Sequence, residues 1–455
     1  MREILQDAAR RAASYLEGLP TRSVEPAPGP LAALQKLRVP LPERSLSPEK
    51  VLALLDEMGS PATVATAGPR YFGFVTGGSL PASLAANWLS GAWDQNGAFV
   101  VGSPIAAALE EVSLSWIREL LALSPGWGGG FVTGTTMGNF SSLAAARHRV
   151  LSSVGWDVEG QGLFGAPEIR VVVSAEVHAS LLKALGLLGL GRERVVTVPV
   201  DGQGRMRSDA LEPRLLEGPT IVCLQAGNVN TGAFDPIREI ASRARAAGAW
   251  VHVDGAFGLW AAASLRTRPF TDGIDDVDSI ATDLHKWLNV PYDSGLALYR
   301  DPAVARAALS VTAAYLPQTD ERTPSDFTPE ASRRARGIDI WAALLSLGRE
   351  GVSELIDRCC RLARQFASGL EVAGFKILND VELNQVLVSF GDDERTRAVI
   401  QAVQRDGTCW CGGTFWQGKA AMRISISSWA TTEEDVERSL AAIIRMARSV
   451  APVRG

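Results

Sequence analysis

Trp250-Val-His252-Val-Asp254-Gly-Ala256-Phe-Gly258 is the stretch on which the fold turns: an apolar run ends on an acid and passes directly into small residues. Such a run reads as a buried strand, and in an open α/β sheet the carboxyl end of a strand faces the ligand crevice. Small residues after the acid let a flat ligand lie close to the backbone. On its own the stretch has a plainer reading, an Asp that caps the next turn. The following strand end, Ser279-Ile-Ala-Thr-Asp283-Leu-His285-Lys286-Trp287, carries a lysine between a histidine and a tryptophan. A surface lysine keeps its ammonium in water. One in an apolar setting either pairs with a nearby acid, here Asp283, or serves as a nucleophile towards a carbonyl. The chain has only six lysines, which makes one inside a motif less easily an accident.

Outward from these motifs, short β-rich runs at 169–174, 195–199, 220–224, 250–254 and 279–282 alternate with helical patterns that include 179–188 and 236–247. This alternation predicts an α/β sheet, mostly parallel and covered on both faces. Residues 1–19 read as an amphipathic helix and 20–48 as a proline-rich run. Ser47 and Pro48 suit the N-cap and first residue of a helix over 49–58. With little core of its own, this arm is expected to pack on a partner subunit. Beyond 305, a loop at 316–330 precedes Ser332-Arg333-Arg334 and a long helix over 338–373 with Gly351 as its break. Strands at 385–390 and 421–427 then alternate with helices at 393–405 and 432–448. The expected organisation is an N-terminal helical arm (1–70), a large α/β domain (71–305), and a mobile loop, long helix and small C-terminal α/β domain (306–455).

Two further elements fall beside strand ends. Gly130-Phe-Val-Thr-Gly134-Thr135-Thr136-Met-Gly138-Asn139 leads into a helix over 140–150. Hydroxyls and free backbone N–H groups at a helix start form an anion cradle. Neither nucleotide fingerprint is present, and an ordinary glycine-rich loop with a Thr cap is the plainer reading. Ser174-Ala-Glu-Val-His178 places an imidazole where it can stack on a planar ligand or move a proton. A lone histidine is more often structural.

Composition narrows the classes. The formal net charge is −5 and the pI about 5.6, with no basic excess for nucleic acid or an anionic membrane. Five cysteines, an odd number, give no disulfide framework, and Cys409-x-Cys411 lacks a second pair at zinc spacing, so no metal site is expected. Reduced thiols, a start without a signal-peptide core and no long apolar stretch lead to the expectation of a cytoplasmic protein that does not span a membrane.

A phosphate cradle, an acid for a ring nitrogen, a flat stacker and a reactive lysine are together what pyridoxal 5′-phosphate (PLP) requires. The order and spacing of the four motifs resemble the fold-type I, aspartate aminotransferase-like PLP enzymes. More narrowly they resemble the group II amino-acid decarboxylases, the family of the aromatic amino-acid and glutamate decarboxylases. The resemblance covers 71–341 and is most specific at H-V-D-G-A-F-G and D-L-H-K-W. It implies that Lys286 carries the cofactor as a Schiff base and that Asp254 pairs with the pyridinium nitrogen. Ala256 and His178 would cover the two ring faces, with His178 near the substrate carboxylate. Thr135 and Thr136 would hold the phosphate with Asp283 close by, and His285 precedes the lysine as in the family. The segment Gly227-Asn228-Val229-Asn230-Thr231 matches a family stretch whose early threonine approaches the ring; Asn228 stands there in this chain. Ser332 would reach the phosphate of the neighbouring subunit, which implies a homodimer with shared sites. Tyr71, Phe72, Phe74, Trp287 and Phe327 would line the substrate pocket, and Trp93 to Phe99 would line it from the other subunit.

The resemblance implies decarboxylation of an L-amino acid, with aromatic lining favouring a large apolar or aromatic side chain. One departure stands out. Family decarboxylases carry a tyrosine on a mobile loop before the Arg-Arg pair, and its hydroxyl protonates the carbanion. The nearest aromatic here is Phe327, which has no proton to give, and the next tyrosine upstream is Tyr315. Oxidative deamination to an aldehyde, carbon–carbon lysis and transamination are the competing reactions on the same cofactor. A non-catalytic binding protein on this fold is the reading outside enzymology.

Overall fold

The computed structural model describes residues 1–311 and 322–451; Tyr315 and the first part of the expected loop lie outside the described residues. The chain divides into two compact units. One comprises Met1–Gly78, Leu362–Leu378 and Val386–Gly455, and the other Ser79–Arg361 and Asn379–Gln385.

The larger unit is built on a seven-stranded sheet: β1 (Gly128–Val132), β2 (Arg170–Ser174), β3 (Val196–Val198), β4 (Thr220–Gln225), β5 (Trp250–Asp254), β6 (Ser279–Asp283) and β7 (Gly295–Tyr299). Their order is β1-β7-β6-β5-β4-β2-β3. The run β3-β2-β4-β5-β6 is parallel, and β7 runs antiparallel to both β6 and β1. The five strands expected from the sequence are all present. β1 and β7 are additions, for β1 reads Gly-Gly-Gly-Phe-Val and carries almost no side-chain signal. Its glycines are there for close packing: a Cβ on Gly129 would lie 2.2 Å from the Ala297 carbonyl oxygen.

β4, β5 and β6 are buried along their whole length, because helices cover the sheet. Leu143 and Ala146 of the helix Thr135–Ser152 pack with Val171, Val173, Ile221 and Trp250 in one core cluster. Trp250 lies in that cluster, so period-two alternation puts His252 and Asp254 on the same face of β5. The helix starts at Thr135 rather than at residue 140, so the two threonines are its first residues and Asn139 faces β5. Gly138 permits this approach, since a Cβ there would come within 2.9 Å of the Ala281 methyl. The long helix runs Arg336–Val372 and breaks at Gly348, not at Gly351. The break has φ 62°, a value glycine reaches without steric cost.

In the smaller unit, β8 (Lys376–Ile377), β9 (Gln385–Ser389), β10 (Gly412–Trp416) and β11 (Lys419–Ser425) form a sheet of order β10-β11-β9-β8. Helices Asp393–Asp406 and Glu433–Ser449 accompany it. Part of the N-terminal arm shares this unit's core: Leu19, Val24, Ala65 and Tyr71 cluster with Trp410. Arg70, 1% exposed, donates to the carbonyl oxygens of Thr408 (2.7 Å) and Arg22 (3.1 Å). The helices Arg2–Gly18, Pro28–Ala33 and Pro48–Gly59 bury no residue; Ser47 sits at the N-cap of the last without a side-chain capping bond.

Candidate active site

Adjacent strands β5 and β6 end in buried acids, Asp254 and Asp283, and Lys286 follows one helical turn's distance after the second. Lys286 Nζ lies 2.9 Å from Asp283 Oδ2. The other carboxylate oxygen of Asp283 accepts the Thr135 backbone N–H at 2.6 Å, which ties the start of the helix to the end of β6. Burial alone would raise the Asp283 pKa, but Lys286, His285 and the hydrogen bonds outweigh it and hold the carboxyl below its usual range. The His285 ring accepts the Ser294 backbone N–H on Nδ1 at 3.1 Å, stacks on Tyr292 with ring centroids 4.2 Å apart, and turns Nε2 towards Asp283 Oδ1 at 3.5 Å. Burial lowers its pKa against the pull of Asp283.

Asp254 is set differently. Its Oδ1 accepts the Ala256 N–H at 3.2 Å and its Oδ2 accepts the Asn139 side-chain amide at 3.0 Å. The small residues that follow are pinned onto β6: the Thr282 hydroxyl donates to Gly255 O at 2.8 Å, and Asp283 N donates to Ala256 O at 2.9 Å. Behind Asn139 stand His252 and Ser279, both fully buried. These partners were not singled out from the sequence as site residues. A polar histidine two positions before the acid, in a strand otherwise apolar, was the available signal, since it shares the acid's face.

Around this centre the structure places the remaining candidates as follows. His178 is the N-cap of the helix Ala179–Leu187, and its Nδ1 accepts the Ser180 N–H at 3.2 Å. The neutral ring therefore carries its proton on Nε2. Asn228 closes its own turn, with Oδ1 accepting the N–H groups of Asn230 (2.9 Å) and Thr231 (3.2 Å). Trp287 is fully buried, with its ring 6.5 Å from Phe257. Phe327 lies in the core cluster with Tyr299 and Leu143, and the Arg322 guanidinium sits 4.9 Å over its ring. Ser332 and Trp93 are exposed, and their segments run side by side, with Gly97 N donating to Arg333 O at 2.9 Å. Tyr71, Phe72 and Phe74 belong to the smaller unit, where Tyr71 and Phe74 stack on Trp410 and Phe72 meets Phe366 edge-on.

The site fits a phosphorylated pyridine aldehyde. The Thr135 hydroxyl is buried and has no hydrogen-bond partner among the described residues, at the start of a helix whose dipole favours an anion. A primary amine stands at one strand end and a carboxylate with remaining lone pairs at the next.

The description "Pyridoxal-dependent decarboxylase conserved domain" matches residues 30–391. The acidic amino acid decarboxylase GADL1 of Bos taurus is 31% identical over 333 residues, 70% of this chain and 63% of that protein. The chain thus spans less than two thirds of that curated relative's length. An aromatic-L-amino-acid decarboxylase of Bacillus atrophaeus is 24% identical over 421 residues, covering 88% of this chain and 85% of its own. In fold, the crystal structure of Oryza sativa TDC with PLP and tryptamine superposes with a TM-score of 0.89 at 23% identity, covering 98% of this chain and 97% of that one. With four-fifths of its length inside the conserved domain, and an amine and a carboxylate at the ends of adjacent strands, this chain belongs to the pyridoxal-dependent decarboxylase family, and its cofactor is pyridoxal 5′-phosphate.

Proposed function

We propose that the chain decarboxylates an L-amino acid to its amine and carbon dioxide, with Lys286 as the residue that holds the cofactor. The observation that carries this reading is the delivery of a lysine amine and a separately held carboxylate to the ends of adjacent parallel strands. When bound, pyridoxal 5′-phosphate supplies an aldehyde carbon for an amine and a ring that accepts the electron pair released as the α-carboxylate leaves. Lys286 would hold the cofactor through Nζ, which Asp283 Oδ2 positions at 2.9 Å. Asp254 keeps the proton on the ring nitrogen. Thr135 and Thr136, at the helix start, would hold the phosphate, and Ala256 would pack against the ring. His178 would stack on the ring, its orientation set by the N-cap bond that Nδ1 accepts from Ser180 N–H, with the proton of the neutral ring on Nε2.

The working unit we propose is a homodimer. Trp88, Leu89 and Trp93 on one helix, Val101 in the turn after it, and Ile105 and Val112 on the next helix are exposed apolar residues. The segments carrying Trp93 and Ser332 lie together, as expected for pieces that complete a neighbour's site. We also assign the protein to the cytoplasm: its five cysteines are all buried thiols, as suits a reducing compartment. No helix among the described residues is long and apolar enough to cross a membrane.

The test is reconstitution with pyridoxal phosphate, borohydride reduction and peptide mass analysis, followed by carbon dioxide, ammonia and peroxide assays on acidic and aromatic amino acids. An adduct on Lys286 with amine and carbon dioxide in equal amounts is expected. Reduction that labels no residue at position 286 ends this reading.

A further inference from the structure

Beneath Asp254 runs a line of buried hydrogen bonds that none of the roles above uses. Register sets His252 of β5 opposite Ser279 of β6, and the helix Thr135–Ser152 lays Asn139 over both. Chemistry fixes the direction of every bond in it. A carboxylate only accepts, so the Asn139 group 3.0 Å from Asp254 Oδ2 is its Nδ2 amide. That turns Asn139 Oδ1 to His252 Nε2 at 2.9 Å, and Nε2 must carry a proton. Burial pushes the His252 pKa down to about 3, so the ring is neutral and Nδ1 is an acceptor. The Ser279 hydroxyl donates to Nδ1 at 2.9 Å, and its oxygen accepts the Trp250 Nε1–H, also at 2.9 Å. Every donor therefore points towards Asp254. Reversing any one member would set two donors or two acceptors face to face in a buried site. No member is a cation, so the relay orients the carboxylate without consuming its charge.

We propose that Asn139 and His252 are positioning residues for the cofactor: the Trp250–Ser279–His252–Asn139 relay locks the Asn139 amide onto Asp254 and so holds that carboxylate, as an oriented anion, for the ring nitrogen. The inference rests on the reading of Asp254 given above.

Asn139→Ala, His252→Gln and the double variant test it after reconstitution with pyridoxal phosphate. Asn139→Ala should weaken cofactor binding about ten- to hundredfold, the size expected for losing a hydrogen bond to a charged group. It should also shift the absorbance of the bound cofactor towards that of the unprotonated ring, a change that loosened packing alone would not give. The double variant should bind no more weakly than Asn139→Ala, because His252 acts through Asn139. Should His252→Gln fail to fold, Ser279→Ala takes its place, with a smaller shift in the same direction. Additive losses overturn the relay. So do unchanged affinity and absorbance in Asn139→Ala while reduction still labels Lys286; that outcome leaves the cofactor reading standing, whereas no label at Lys286 in the unaltered protein removes both.

Discussion

Asp254 and Asp283 end neighbouring strands, are both almost fully buried, and are held by opposite means. Asp283 is paired with an amine, Lys286, and a charged partner at 2.9 Å satisfies its negative charge within the chain. Among the described residues, the donors to the Asp254 carboxylate are neutral, the amide of Asn139 and the N–H of Ala256, so its charge is directed but not cancelled. A buried carboxylate surrounded by dipoles keeps its attraction for a further cation, while one already in an ion pair does not. Under the proposed function the pair would divide the work of the site: Asp254 would face a charged ring nitrogen, and Asp283 would position the lysine amine.

The largest effect should come from exchanging the acids for amides. Asp254→Asn leaves a similar shape but no charge, and should lower kcat about a hundred- to a thousandfold, the range seen when one preorganised electrostatic contact is lost. Asp283→Asn still accepts the Thr135 N–H and leaves Lys286 in place, so the loss should be nearer tenfold. Steady-state kinetics on both variants, with Lys286 labelling as a check on cofactor loading, decide it. Equal losses would mean that the two carboxylates do not have distinct tasks.

A pH titration tests the neutral relay behind Asp254 next. The His252 pKa falls from 6.5 to about 3 on folding, so the unfolded chain takes up a proton that the native chain refuses. Stability from this group is complete above about pH 6.5, declines as the pH falls, and is gone below about 3. Asp283, also lowered, acts in the same direction below the ordinary carboxylate value of 3.8. Asp235 opposes them: burial raises it to about 6, so its contribution weakens stability as the pH rises from 3.8 to 6. Urea unfolding of His252→Gln between pH 7 and 4 should show a flatter acid decline than the parent. A decline as steep as the parent's would place the acid sensitivity elsewhere.

Much of this comparison was legible in the residues. Both acids, the lysine and the small residues between them could be placed at strand ends, because period-two burial and strand–helix alternation leave a strong pattern. The neutral side was not legible, because it depends on register. Nothing in the string says that Ser279 lies opposite His252, or that a glycine at 138 lets a helix bring Asn139 within 3 Å of β5 residues. The strand β1 was missed for a related reason: three glycines carry no propensity, and their purpose is visible only as contacts a Cβ would violate. Likewise Gly348 and Gly351 are indistinguishable in sequence; only φ tells which one breaks the helix.

The smallest expected effect tests the Asp283 side most finely. Asp283 is fastened to the helix start by the 2.6 Å bond from the Thr135 backbone N–H, and the Thr135 hydroxyl is buried and makes no direct hydrogen bond among the described residues. Thr135→Val keeps the amide and the branched shape and removes only the hydroxyl. In the cofactor-free protein this should be nearly neutral, within about 0.5 kcal/mol, because replacing an unsatisfied buried group by a methyl costs little. With pyridoxal phosphate bound, the same change removes a donor to the phosphate and should weaken binding several-fold. Thermal unfolding with and without cofactor measures both. A large loss in the cofactor-free form would show that the hydroxyl helps to hold Asp283 after all, and a loss in neither form would take Thr135 out of the phosphate cradle.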